Sequence, residues 1–370
     1  MADRVLIATR GSALALAQAN QVLVRCRTAF PSLEFRLRIV KTTGDKLQTA
    51  SLAQSIDEST KGLFTKELEV ALLEHQADLA VHSLKDLPTD LPDGLILGAV
   101  CRRADVADVL IYRDAASFHR TGDPVLAGAK DHGSGTRVKR GFHPGLTLEQ
   151  LPPGATIATS STRRQAQLLA LRPDLKIIPI RGNVGTRLQK LLDQPAMDAT
   201  ILAAAGLERL KFQIDTGGHL LPPSESPTAS ESSPAARPGP KQKPSVGCRR
   251  ISELLAARLP PETMLPCVGQ GAIGIETRAD DDRIAPICAR LDHDETHQCV
   301  TAERAFLRAM GGGCQSPVAA YAQRVDQQIR MRVVSFRDGP AQRAEGSRPI
   351  EEAALLGKDL AAQLVAADHQ

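Results

Sequence analysis

Ile7-Ala8-Thr9-Arg10-Gly11-Ser12 leads into an alanine-rich helical run, Ala13–Phe30, and the same order returns at Ile157-Ala158-Thr159-Ser160-Ser161. In both places a short apolar strand runs into a polar turn that opens a helix. Such a junction gathers backbone N–H groups and the positive end of the helix dipole at one point, which attracts anions. One reading of the echo is chance, since strand–turn–helix junctions are common. The other is a pair of like α/β domains facing each other across a cleft, as in hinged binding proteins.

Outward from the first junction, Phe35, Leu37 and Ile39 alternate with period two, a helix is predicted near Thr65–His75, and Leu79–His82 has the unbroken apolar character of a buried strand. Strand, helix, strand in that order predicts a parallel or mixed sheet with its functional loops at the strand C-termini. A second α/β unit begins near Ala155 and contains a strand at Lys176–Ile180. Gly271–Glu276 looks like a strand returning to the first sheet. Asp280–Leu291 and Thr296–Met310 have helical periodicity, and Gly311-Gly312-Gly313 stops the second of them. Two strand candidates, Val318–Arg324 and Gln328–Phe336, and a helix near Glu351–Ala367 predict a small C-terminal α+β domain. Residues 216–247 hold 7 Pro, 6 Ser and 4 Gly among 32 residues, a composition expected to form a disordered surface insertion. Gly128–Gly145 is a second expected loop, with a solvated basic face.

At 370 residues the chain exceeds what a single hydrophobic core normally serves, so two or three domains are expected, with room for a site between them. Apolar residues at 42% and charged residues at 24% are ordinary for a globular protein. The N-terminal residues lack the hydrophobic run of a secretory signal, and no stretch reaches transmembrane length, so a cytoplasmic protein is expected. Seven cysteines with no C-x-x-C pair indicate neither a disulfide framework nor a zinc site, and no metal is expected. A net charge of +4 argues against a nucleic-acid binder. Arginine outnumbers lysine 33 to 13, which reflects either coding bias or a need for planar forks that grip carboxylates and phosphates.

Clustering favours the second explanation. Thr159-Ser160-Ser161-Thr162-Arg163-Arg164 repeats the Arg10–Ser12 arrangement with two adjacent arginines, Arg181 follows the next strand, and Arg187 and Arg209 come after it. Several arginines near strand C-termini imply a ligand with several negative charges. Val81-His82-Ser83-Leu84-Lys85-Asp86-Leu87-Pro88 ends a buried strand with Ser, Lys and Asp in four residues. A carboxylate at such an edge stabilises a developing cation or exchanges protons, although an Asx-type turn beside a solvated lysine reads the same way. His82 by itself reads as a satisfied core histidine. Cys314, between Gly311-Gly312-Gly313 and Gln315-Ser316-Pro317, sits on a loop rather than an apolar helix face, where a nearby arginine would make its thiolate more accessible.

Together these motifs resemble the porphobilinogen deaminase (hydroxymethylbilane synthase) family. The similar stretches are Ile7–Ala17, Lys61–Leu73, Asp78–Pro88, Ala158–Gln165, Arg181–Leu188, Val268–Glu276 and Gly311–Pro317, in order over nearly the whole chain. VHSLKD with GGGCQSP is the most specific combination. The resemblance implies an enzyme, a transferase that condenses four porphobilinogen molecules head to tail with release of ammonia, giving the linear tetrapyrrole hydroxymethylbilane. It implies a dipyrromethane cofactor held by a thioether to Cys314, and Asp86 as the catalytic carboxylate beside the pyrrole nitrogens. Lys85, Ser83, Thr159, Ser160, Ser161, Arg163 and Arg164 would hold the cofactor, and Arg10, Ser12, Arg181, Arg187 and Arg209 the substrate. Lys61 and Phe64 would belong to a lid over residues 42–61. The implied fold has two periplasmic-binding-protein-like α/β domains, residues 1–106 with 271–289 and residues 107–270, flanking a cleft, and an α+β domain at 290–370. Glu58-Ser59-Thr60 departs from the family, which usually has glycines there, and the 216–247 and 128–145 segments are additions.

A non-catalytic hinged polycarboxylate binder also accounts for the arginines, but not for Cys314 beside glycines or Asp86 at the cleft. A phosphate-handling transferase lacks the glycine-rich motifs such enzymes carry. The expected partner is porphobilinogen alone, bound by a monomer without nucleic acid or membrane.

Overall fold

A computed structural model of the chain describes residues 4–42, 65–117, 139–223, 248–313 and 316–367. Strand β1 (Arg4–Arg10) passes through the Gly11-Ser12 turn into α1 (Ala13–Ala29), whose first turn is capped by the Ser12 hydroxyl accepting from Ala15 N at 3.3 Å. One face of α1, with Ala19, Val22, Leu23 and Cys26, is buried on the sheet. Then follow β2 (Glu34–Val40), α2 (Lys66–Leu73), β3 (Leu79–Ser83), a single 3-10 turn (Leu84–Asp86) and β4 (Leu95–Val100).

The chain crosses at residues 101–107 into a second unit: β5 (Asp108–Arg113), β6 (Thr156–Ala158), α3 (Thr162–Leu171), β7 (Lys176–Ile178), α4 (Val184–Asp193), β8 (Ala199–Ala203), α5 (Ala204–Arg209), β9 (Gln213–Ile214), β10 (Leu220–Leu221) and β11 (Leu254–Leu259). It returns through 260–272 into β12 (Ile273–Arg278). After α6 (Ala285–Leu291) and α7 (Asp294–Ala309) come β13 (Val318–Val325), β14 (Gln328–Ser335), β15 (Gln342–Pro349) and α8 (Ala353–Ala367).

Two five-stranded sheets result, in the orders β2-β1-β3-β12-β4 and β11-β5-β8-β6-β7, with a separate three-stranded sheet β13-β14-β15. Both large sheets are mixed: β1 is parallel to β2 and β3, and β6 to β7 and β8, while β12 and β5 run antiparallel to their neighbours. The last sheet lays Ile329, Met331 and Val333 against Phe306 of α7 and Leu356 and Leu360 of α8. This is the α/β architecture with a small C-terminal α+β unit that the sequence predicts.

The two crossovers run side by side. Ala104 N donates to Gly271 O at 3.0 Å, and Gly271, at φ +85, is so close that a Cβ there would lie 2.6 Å from Ala104 O. Arg103 and Glu303 of α7 tie this hinge to the C-terminal unit. The carboxylate accepts from Arg103 at 2.6 and 3.0 Å, from Gly269 N at 2.8 Å and from Ala322 N at 2.9 Å.

Several expectations need revision. The helix placed at 280–291 begins only at Ala285, with a proline in its first turn. The strand β15 has no apolar alternation in Gln342–Pro349 and forms by pairing along β14. The stretch expected to be disordered from residue 216 is ordered through 223: β9 and β10 pair around Gly218 at φ +82, and Leu220 is fully buried. Residues 139–142 of the expected solvated loop also pack, with Arg140 bidentate on Asp198 and Phe142 edge-on to Tyr112. The remainder of both segments, the 43–64 stretch with Lys61 and Phe64, and Cys314 with Gln315 lie outside the described residues. Among the described residues no helix is long and apolar enough to cross a membrane, and no cluster of ligating side chains suits a metal.

Candidate functional site

The C-terminal ends of β1 and β3 open onto a small cavity of about 70 Å³, lined by Arg10, Ser12, Gln18, Thr65, His82, Ser83 and Asp86 among others. The parallel pairing of β1 with β3 brings two loops separated in sequence to one edge. Ser83 exchanges hydrogen bonds with the buried Gln18 amide of α1 at 2.9 and 3.1 Å, fixing the end of β3. The 3-10 turn then leaves Asp86 exposed and Lys85 half-buried. Burial pulls the Lys85 ammonium below its ordinary range; the charge of Asp86 raises it and that of Arg164 lowers it further. Lys85 therefore stands within electrostatic reach of Arg164 and Asp108 in the second unit.

The facing unit contributes α3 and α4. Ser161 caps α3 by accepting from Arg164 N at 3.4 Å, and Asn183 caps α4 by accepting from Thr186 N at 2.9 Å. Arg187, one turn into α4, donates to Gly182 O at 2.8 Å; burial and the neighbouring Arg164 lower its guanidinium's pKa, and Asp86 raises it. Arg181 is exposed at the turn before α4, where its backbone carbonyl accepts from Lys190 Nζ at 3.0 Å.

Arg163 and Arg164 behave differently, because both are buried on one carboxylate, that of Asp108 at the start of β5. Arg163 reaches Asp108 Oδ2 at 2.8 Å and Leu265 O at 2.6 Å. Arg164 reaches Asp108 Oδ1 at 2.7 Å and Ile201 O at 2.8 Å. Gln270, from the returning crossover, adds a bond to Oδ1 at 2.9 Å. Burial pushes the Asp108 carboxyl up, but the two guanidiniums outweigh it and hold it well below the usual carboxylate range. The Nε of each arginine is buried without a hydrogen-bond partner among the described residues.

The structure thus brings Arg10, Ser12, Ser83 and Asp86 to one cavity, with Lys85, Arg164 and Arg187 close enough for their charges to interact. Other candidates are engaged elsewhere. Thr159 is buried and its hydroxyl accepts from Ser161 N at 3.2 Å, while Ser160 bridges to Ile180 O and N at 2.9 and 3.0 Å. Arg209 donates to Gly271 O at 2.6 Å at the hinge rather than lining the cavity. The flanks of Cys314 are tightly drawn: Ser316 N donates to Gly313 O at 2.9 Å, and a Cβ on Gly312 would lie 2.5 Å from Ser316 Oγ. Burial pushes the thiols of Cys26, Cys288 and Cys299 up to about 12 and raises those of Cys101 and Cys267, so these five are poor nucleophiles. The sequence does not single out Asp108, Gln18 or Gln270. A lone Asp opening an apolar strand is the one signal for Asp108.

Comparison with known proteins gives a consistent result. A family model described as porphobilinogen deaminase, dipyromethane cofactor binding domain, matches residues 5–234 and 245–286, and one described as porphobilinogen deaminase, C-terminal domain, matches residues 297–366. A porphobilinogen deaminase from Desulforudis audaxviator is 40% identical over 367 residues, 99% of this chain and 95% of that protein. One from Desulforamulus reducens is 36% identical over 368 residues, covering 99% and 96%. Among solved structures, an OxyR C206 mutant of Corynebacterium glutamicum covers 82% of this chain and 67% of that one at 13% identity, with a TM-score of 0.36.

Proposed function

Since the chain belongs to the porphobilinogen deaminase family, we propose that its cleft carries out the head-to-tail condensation of four porphobilinogen molecules, with release of ammonia, to hydroxymethylbilane. This is a transferase activity in tetrapyrrole biosynthesis. The observation that carries the reading is the charge balance of the cleft: among the described residues, the five cations Arg10, Lys85, Arg163, Arg164 and Arg187 stand against the carboxylates Asp86 and Asp108, with Glu69 and Glu276 set behind the cavity against His82. An excess of that size suits a ligand with acetate and propionate groups on every ring. The Nε atoms of Arg163 and Arg164, buried without a hydrogen-bond partner among the described residues, point the same way.

When bound, the dipyrromethane supplies a tethered pyrrole chain end on which the product is built. Cys314 is the proposed attachment point, supported by the poor nucleophilicity of the five thiols whose pKa is raised. Lys85, Ser83, Thr159, Ser160, Ser161, Arg163 and Arg164 are proposed to hold that group, directly or, for Thr159 and Ser160, by shaping the α3 turn. Arg10, Ser12, Arg181 and Arg187 are proposed to hold substrate carboxylates, with Arg209 acting from the hinge. Asp86, exposed at the cavity mouth, is proposed to stabilise the cation left on the substrate when ammonia departs. Lys61 and Phe64 are proposed lid residues. The proposed domains are residues 1–106 with 271–289, 107–270 and 290–370. A cytoplasmic monomer is inferred, and the free thiols suit a reducing compartment.

Denaturing intact-mass measurement tests the reading. Wild type is expected to be heavier than its sequence by one dipyrrole and to gain single-pyrrole steps with limiting porphobilinogen, whereas Cys314→Ser stays at its sequence mass and is inactive. Wild type at its bare sequence mass, or an adduct on another cysteine, would refute it.

A further inference from the structure

A buried acid–base pair lies directly behind the cavity and has no task in the condensation as proposed. His82 lines the cavity with Arg10, Ser83 and Asp86, and its Nε2 lies 2.9 Å from Oε2 of Glu276 on β12. Register places the two on one face of the sheet, since His82 pairs with Gly274 and Ala80 with Glu276. Both side chains are buried, Glu276 completely. Neither His82 Nε2 nor either Glu276 oxygen has a directed hydrogen bond among the described residues, so the 2.9 Å contact is a close approach without an aligned bond. The carboxyl of Glu69 on α2 also interacts with both: burial raises its pKa, as does the charge of Glu276, while a bond from Thr65 and the charge of His82 lower it. Arg10 from β1 and Asp86 from the 3-10 turn complete the ionisable groups around the ring. A fully buried carboxylate is costly unless a positive charge compensates it, and the His82 ring is the group set against it.

The condensation offers one at each addition, and the inference rests on that proposed activity. The C–N bond of the substrate's aminomethyl group breaks, and ammonia leaves with the bonding electrons. The methylene carbon then forms a C–C bond to the α-carbon of the preceding pyrrole, whose C–H bond breaks with its electrons restoring the ring. One ammonium group and one pyrrole C–H thus yield one C–C bond, ammonia and one proton, the one that leaves the α-carbon. If Asp86 took the α-carbon proton it would lose the charge that stabilises the next cation.

We propose that His82 accepts the α-carbon proton on Nδ1 and that Glu276 is a positioning residue, its carboxylate set 2.9 Å from Nε2 to stabilise the positive ring until the proton passes to solvent or ammonia. The experiment compares wild type, His82→Gln and Glu276→Gln, using porphobilinogen with hydrogen or deuterium at its free α-position. Intact mass is expected to show the dipyrrole on all three. In His82→Gln, kcat should fall about 100-fold or more, with a larger deuterium isotope effect than wild type and loss of the acidic limb of the pH profile. Glu276→Gln should fall less and displace that limb. Wild type alone should show an isotope effect that grows as pH is lowered, which keeps the test open if neither variant folds.

Turnover of His82→Gln within twofold of wild type overturns the inference. So does a fall with unchanged isotope effect and pH profile, or a wild-type isotope effect independent of pH. Wild type that carries no dipyrrole and releases no ammonia would instead overturn the proposed function, and this inference with it.

Discussion

Arg163 and Arg164 on α3 and Arg181 and Arg187 beside α4 are chemically alike and occupy like junctions, yet the structure treats them differently. The first two are buried on Asp108 and bond to the Leu265 and Ile201 carbonyls. Arg181 is exposed, and Arg187 bonds to its own turn at Gly182 O. The first pair serves the architecture of the cleft as well as its charge, because Asp108 also takes Gln270 from the crossover. Of the second pair, Arg181 offers its charge to solvent, while the half-buried Arg187 also ties the start of α4 to its turn. Adjacent arginines at a strand-to-helix turn can therefore hold the hinge and offer a net positive field at once, two cations against one carboxylate.

The largest expected effect comes from removing the shared anion. Asp108→Asn keeps the shape but leaves two guanidiniums buried without their counterion, which should cost about 3–5 kcal/mol of stability at neutral pH. The pH dependence follows from the depressed carboxyl: its contribution is complete above the unfolded value near 3.9 and fades as pH falls toward the lower folded value. Denaturant unfolding of wild type and variant at a series of pH values should thus show a gap that is widest near neutrality and narrows below about pH 4. A gap that stays constant with pH would mean that Asp108 is not the ionised partner of Arg163 and Arg164.

The contrast also shows where sequence reading stops. Ser12 and Ser161 announce their helices, because a hydroxyl before an apolar periodic run has a local job three residues on. The strands at 7–9, 79–82 and 157–158 are legible from unbroken apolar runs. Asp108 is not legible as the partner of Arg163, since the two are 55 residues apart and only the fold brings them together. The same holds for His82 and Glu276, which meet through an antiparallel strand that the chain adds after crossing the second unit. Strand β15 escapes because Gln342–Pro349 takes its conformation from β14 rather than from its own side chains. The site's local pieces are thus readable, whereas the pairings that hold them are not.

A smaller effect separates the two kinds of arginine directly. Arg181→Leu removes an exposed cation, so the thermal midpoint should hardly move, while kcat/KM should fall by the value of one charged hydrogen bond, about 1.5–3 kcal/mol and thus roughly tenfold or more. Arg163→Leu should lower both the midpoint and activity, because it strips Asp108 and Leu265 O of a donor. Thermal melts beside steady-state kinetics decide the matter. Equal loss of midpoint in both variants would erase the distinction between architectural and ligand-facing arginines.

The mildest test concerns the proline-rich stretch, whose first residues are held by the second unit. Residues 216–223 are held: β9 pairs with β10, Leu220 is buried against Leu207, Ile251 and Leu254, and His219 bridges antiparallel to Leu255. That bridge brings the two flanks of 224–247 within a few residues of each other, so a short connection can replace the stretch without pulling on either side. The removed residues are rich in Pro and Ser and poor in large apolar side chains, giving them little to bury. Loop-closure entropy changes slowly with length, by about 0.6 kcal/mol per doubling, and shortening should if anything stabilise the fold. Replacing 224–247 with a short Gly/Ser link is therefore expected to leave kcat/KM at the wild-type value and the thermal midpoint unchanged or slightly raised. A fall in either would show that these residues make contacts essential to the second unit or its cleft.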